Sequence, residues 1–96
     1  MEKLIMKYVN DVNKWLITKN ISSINCGWTD DKSVYYKMNV GLYTIYLEMF
    51  FDNKDRTDLE DGVEPVLNIF SNKVCIFSYS GTLRDCLDNI HNQINL

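Results

Sequence analysis

The stretch SVYYKMNVGLYTIYLEM, residues 33–49, decides the fold. Apolar residues recur at every second position on both sides of Gly41-Leu42: Val34, Tyr36, Met38 and Val40 before it, Tyr43, Ile45, Leu47 and Met49 after it. This period of two is the mark of a half-buried strand, so two strands are predicted. Glycine at the first position of a two-residue loop supplies the positive φ of a type II′ turn, and the loop length then sets the pairing. Val40 faces Tyr43, Met38 faces Ile45, Tyr36 faces Leu47 and Val34 faces Met49, all on one side. The other side pairs Asn39 with Thr44, Lys37 with Tyr46 and Tyr35 with Glu48. A slip by one residue would mix the two sets, so the hydrophobic pattern selects this register.

Working outward, residues 2–19 carry Leu4, Ile5, Tyr8, Val9, Val12, Trp15 and Leu16 at spacings of three and four, with Lys3, Lys7, Asp11 and Lys14 opposite. That is an amphipathic helix, and Asn20 is its predicted stop because Asn tolerates the left-handed conformation that closes helices. Residues 21–28 read as a further, edge strand. Beyond the hairpin, residues 52–64 (DNKDRTDLEDGVE) form a long polar stretch, read as a loop or a single helical turn. Two more strands follow at 66–70 and 73–79, joined through Ser71-Asn72. In that hairpin Leu67, Ile69, Val74 and Ile76 share one side, while Val66, Phe70, Cys75, Phe77 and Tyr79 share the other. A pair that is apolar on both faces is expected to be central, covered on both sides, or buried against another subunit. Thr82-Leu83-Arg84-Asp85 is a capping box with Asp in place of Glu. It opens a last helix reaching about residue 95, whose buried stripe is Leu83, Cys86, Leu87, Ile90 and Ile94. The predicted class is α+β: an antiparallel meander of four strands, five with residues 21–28, between N-terminal and C-terminal amphipathic helices.

A chain of 96 residues, 46% hydrophobic and 24% charged, suits one folded domain and lies far from the composition of disorder. Cys26, Cys75 and Cys86 are odd in number and lack CxxC spacing, which suits neither a disulfide framework nor a zinc site. A reduced, cytoplasmic setting is expected, the host cytoplasm if the protein is viral. Glu2, Lys3, Lys7, Asn10 and Asp11 interrupt the start of the chain, so no signal peptide or membrane span is expected there. The net charge of −3 removes the long-range attraction behind most direct nucleic-acid binding. The absence of Ala and the scarcity of Arg and Gly point to an A+T-rich genome, as in many phages and low-G+C bacteria.

No catalytic, metal or cofactor motif is legible. His91 is the sole histidine, and Cys86, five residues earlier, lies on the core stripe of the same helix, turned well away from it. Counted from Asp52, the acidic stretch places Lys54 at the third EF-hand position and no glycine at the sixth. Ser80-Gly81-Thr82 before a helix is explained by a plain N-cap. Glu48 and Asp52 would stand roughly 13 Å apart along a strand, too far for paired acid and base work.

What remains is surface. Tyr35 and Tyr46, with Phe50 further along, are predicted on the outer face of the first hairpin, where aromatics suit a binding hot spot unless a helix covers them. The other candidates are Glu48 and the acidic residues Asp52, Asp55, Asp58, Glu60 and Asp61, a solvated connection or a docking patch suited to a basic partner. The order of elements and the acidic balance resemble small secretion chaperones, toxin immunity proteins and phage-encoded inhibitors of bacterial defence, a likeness of class. The function expected is a non-enzymatic acidic antagonist, such as an anti-CRISPR or another phage anti-defence protein. It would block a basic surface on a larger protein, for instance a nucleic-acid-binding effector. The alternatives are a toxin immunity protein, a homodimer through the 66–79 hairpin, and a small-molecule domain with a pocket between sheet and helix.

Overall fold

A computed structural model describes residues 2–21, 24–29, 33–51 and 60–95. Its elements run α1 (Glu2–Thr18), β1 (Ile24–Thr29), β2 (Ser33–Val40), β3 (Tyr43–Phe50), a 3₁₀ turn (Glu60–Gly62), β4 (Glu64–Ser71), β5 (Val74–Ser80) and α2 (Leu83–Ile94). The strands pair antiparallel in the order β1-β2-β3-β4-β5, a five-stranded meander between two helices, and the fold is α+β. Among the described residues no helix is long and apolar enough to cross a membrane.

The β2–β3 register is the predicted one, from Val34 opposite Met49 to Val40 opposite Tyr43. Gly41 turns the corner at φ +60°, and Leu42 keeps a negative φ, as a type II′ turn requires. α1 closes on Asn20 at φ 56°: the Asn20 amide donates to the Ile17 carbonyl and the Ile21 amide to that of Leu16. These two bonds form a Schellman motif, and Ile21 completes it by packing against the core. At α2 the Thr82 hydroxyl accepts from the Asp85 amide at 3.1 Å, and Asn95 in the left-handed conformation ends the helix.

The core lies in one layer. Ile5, Tyr8, Val12 and Leu16 of α1 and Leu83, Cys86, Leu87 and Ile90 of α2 meet Val34, Tyr36, Met38, Ile45, Leu47, Met49, Leu67 and Ile69 of the sheet. Every sheet residue in that set belongs to one alternation, so both helices cover the same face. Phe51, buried as the chain leaves β3, meets Tyr8 edge to face at 6.2 Å.

The β4–β5 hairpin departs from the sequence reading in two respects. Its turn is Asn72-Lys73, one residue later than expected, with both residues at positive φ (53° and 67°) as in a type I′ turn. A bulge then shifts the register, so that Ile69 faces Phe77 while Phe70 faces Cys75. Phe77 and Tyr79 therefore join Leu67 and Ile69 on the core side, and Val74 and Ile76 are left exposed. One inserted residue inverts the facing of everything beyond it, which strict alternation cannot foresee. Nor is this hairpin central: β5 lies at the edge of the sheet.

Candidate protein-docking face

Both helices lie on one side, and among the described residues no element packs over the other side of the sheet. Its residues form cross-strand rows: Asn39, Thr44, Phe70 and Cys75; Lys37, Tyr46, Asn68 and Ser78; Tyr35, Glu48, Val66 and Ser80; and Ser33, Phe50 and Glu64. Tyr35, Tyr46 and Phe50 keep 36%, 38% and 36% of their surface exposed, large values for rings lying on a sheet.

Two of these rings have a seat. Tyr46 meets Phe70 of the neighbouring strand edge to face, with centroids 5.5 Å apart, and the Lys37 ammonium stands 5.8 Å from the Tyr46 centroid on its other neighbour. Tyr35 lies across Gly27 of β1, where a Cβ would come within 2.8 Å of the ring and its hydroxyl. Glycine at position 27 is thus a steric requirement of where the Tyr35 ring sits.

Polar side chains are tied down in the plane of the face. The Ser33 hydroxyl donates to Glu48 at 2.6 Å, that of Ser78 to Asn68 at 2.6 Å, and that of Thr44 to Asn39 at 3.3 Å. Cys75 Sγ lies 3.3 Å from the Ser78 hydroxyl. Such a surface loses little side-chain freedom on binding, which favours affinity. A shallow groove of about 710 Å³ runs over it between Lys37, Tyr46, Phe70 and Lys73. Glu48 and Glu64 lie toward the Phe50 end and Lys37 toward the Gly41 turn.

The acidic candidates divide. Asp52, Asp55 and Asp58 lie outside the described residues, as does the side chain of Glu60. Asp61 holds the left-handed conformation (φ 57°), and its Oδ2 accepts from the Tyr8 hydroxyl at 3.0 Å and from Lys7 Nζ at 3.4 Å. Its carboxylate anchors this segment to α1. The 3₁₀ turn at Glu60–Gly62 leads into β4 at Glu64, the partner of Phe50.

Cys86 and His91 lie away from this face. Burial pushes the Cys86 thiol up to about 11, with the Asp85 charge adding and a bond with the Gly81 backbone opposing. His91 Nδ1 lies 3.2 Å from Lys19 Nζ. Among the described residues no three His, Cys, Asp or Glu side chains converge as a metal site would require. A second hollow, of about 610 Å³, opens between α1 and the start of α2, lined by Lys7, Asp11, Thr82 and Arg84.

Sequence reasoning found Tyr35, Tyr46, Phe50 and Glu48 on this face. Phe70 joins them through the β3–β4 pairing, which the alternation within its own hairpin does not reveal. The chain matches no family model, no characterised protein and no solved structure.

Proposed function

We propose that the protein is a non-enzymatic protein-binding module that docks through the open face of its sheet. The observation that carries this reading is that both helices pack on one face while Tyr35, Tyr46 and Phe50 stand exposed on the other, Tyr46 seated against Phe70 and Tyr35 across Gly27. Aromatic side chains fixed by their neighbours and ringed by polar groups are the composition of an interface centre. The net charge of −3, and Glu48 and Glu64 at one end of the face, favour a partner with a basic surface. The leading form of the proposal is an antagonist that occupies the nucleic-acid-binding surface of a larger defence effector, as a phage anti-defence protein such as an anti-CRISPR would. Its alternative is an immunity protein against a basic toxin.

The test is affinity capture from a low-G+C bacterial lysate, with the wild-type chain beside Tyr35→Ser/Tyr46→Ser and Asp55→Lys/Asp58→Lys variants. One protein is expected to be retained in stoichiometric amount, released by high salt, lost with the tyrosine variant and weakened with the charge reversal. Retention indifferent to the tyrosines, or an empty capture, would overturn the proposal. Asp61 is left intact because its replacement would disturb the anchor to α1.

A further inference from the structure

We infer, on the reading of the open face as a docking surface, that the Gly41 end of its groove receives an acidic side chain of the partner, an Asp or Glu carboxylate held over the Tyr46–Phe70 pair by Lys37 and Lys73. Both lysines line the groove with those two rings. Among the described residues neither lysine makes an ion pair, although the chain has 13 acidic side chains against 10 basic ones. Lys37 is half-buried, its ammonium 5.8 Å from the Tyr46 centroid. Glu48 lines the groove too, but its carboxylate accepts from Ser33 at 2.6 Å, on the side toward Phe50. Lys73 stands at φ 67° in the second place of its turn, where glycine would be free of strain. Its ammonium is thus set at this end of the groove against the preference of its own backbone, and strain of that kind is commonest where a side chain is used.

Charge complementarity decides the occupant. Two cations without a carboxylate partner, beside an aromatic floor, favour an anion on a short apolar stem, since the stem covers the rings while the carboxylate reaches the ammonium groups. The neutral groups at this end act in the same sense. Asn68 Oδ1 accepts from Ser78 and Asn39 Oδ1 from Thr44, which leaves the NH2 group of each amide to donate. Glu48 and Glu64 stand toward the other end, so the face is polarised along its strands. Net charge draws a basic partner, and the groove then selects, within that basic surface, a place where an acid stands among the bases. This admits one orientation of the partner and rejects surfaces that are basic throughout. A nucleic-acid phosphate would satisfy the lysines as well, but the net charge of −3 and the two glutamates on the same face oppose a polyanion.

Selection of phage-displayed random peptides on the immobilised full chain tests it. Enriched peptides are expected to carry an Asp or Glu next to an aromatic or aliphatic residue, and synthetic copies with that acid replaced by its amide are expected to bind roughly tenfold more weakly. Selection on Lys37→Glu/Lys73→Glu, with its fold checked by circular dichroism, is expected to put Lys or Arg where wild type selects the acid. Attraction by net charge alone would instead enrich peptides that are basic throughout on both chains, and that result would overturn the inference. Tyr46→Ser separates this contact from the face as a whole. Peptides that are lost with Tyr46→Ser but indifferent to their acid and to the two lysines would overturn the inference and leave the docking face standing, whereas peptides that survive Tyr46→Ser would count against both. An oligothymidylate bound as tightly as the best peptide, or no enrichment at all, would also overturn it, and the lysate capture would then decide the face by itself.

Discussion

The Tyr8 hydroxyl donates a 3.0 Å hydrogen bond to Oδ2 of Asp61, tying α1 to a segment that follows it by 53 residues. Tyr8 is buried and Asp61 holds a left-handed backbone, so this one residue both turns the chain into β4 and pins it. Asp61→Ala loses the acceptor and worsens the strain, and is expected to cost about 2 kcal/mol. Asp61→Asn keeps both an acceptor and a side chain tolerant of this conformation, and is expected to lose less than half as much. Urea unfolding of the two variants beside wild type checks the order; equal losses would show that the anchor contributes nothing.

Tyr36 is 1% exposed, and among the described residues its hydroxyl has no partner in good hydrogen-bond geometry, only the Cys26 thiol of the facing strand beside it. Burial, and secondarily Cys26 on the facing strand, raise its pKa well above the ordinary tyrosine value. Tyr36→Phe removes a desolvated hydroxyl with little change of shape, and is expected to stabilise the fold by about 1 kcal/mol. A destabilised variant in thermal or urea unfolding would mean that the hydroxyl has a favourable role.

Cys86 makes stability depend on alkaline pH. Its thiol ionises at 9.0 when unperturbed and at about 11 in the folded chain. Its contribution is complete below pH 9. Between 9 and about 11 the unfolded chain releases this proton first, so stability falls across that window, by on the order of 2 kcal/mol in total. Cys86→Ala should flatten this part of the profile while lowering stability at neutral pH by leaving a small cavity. The native protein should also show two fast thiols, Cys26 and Cys75, and a third only on unfolding; fast reaction of all three would contradict the buried position of Cys86.

Lys73 occupies the second place of the Asn72-Lys73 turn at φ 67°, a conformation costly for a residue with a Cβ. Lys73→Gly restores the favoured Asn-Gly pair and is expected to stabilise the fold by about 1 kcal/mol. Gly41→Ala, at φ +60°, is the converse and should cost a similar amount, although a Cβ there would meet no atom within 4 Å. The two melting shifts should therefore have opposite signs.

The sequence by itself determined what local physics dictates. Alternation about Gly41 determined the β2–β3 register, helical spacing determined the faces of α1 and α2, and Asn20 and Thr82 marked the helix boundaries, because each depends on residues a few positions apart. Tyr35, Tyr46 and Glu48 were legible as one outer face for the same reason. Only the tertiary structure decided whether a helix would cover that face, since a side chain's burial depends on which layer packs above it. The bulge that turns Phe77 and Tyr79 inward, the edge position of β5 and the bond from Tyr8 to Asp61 were likewise settled by contacts between distant segments. The patterns of those segments, taken one at a time, fit more than one arrangement.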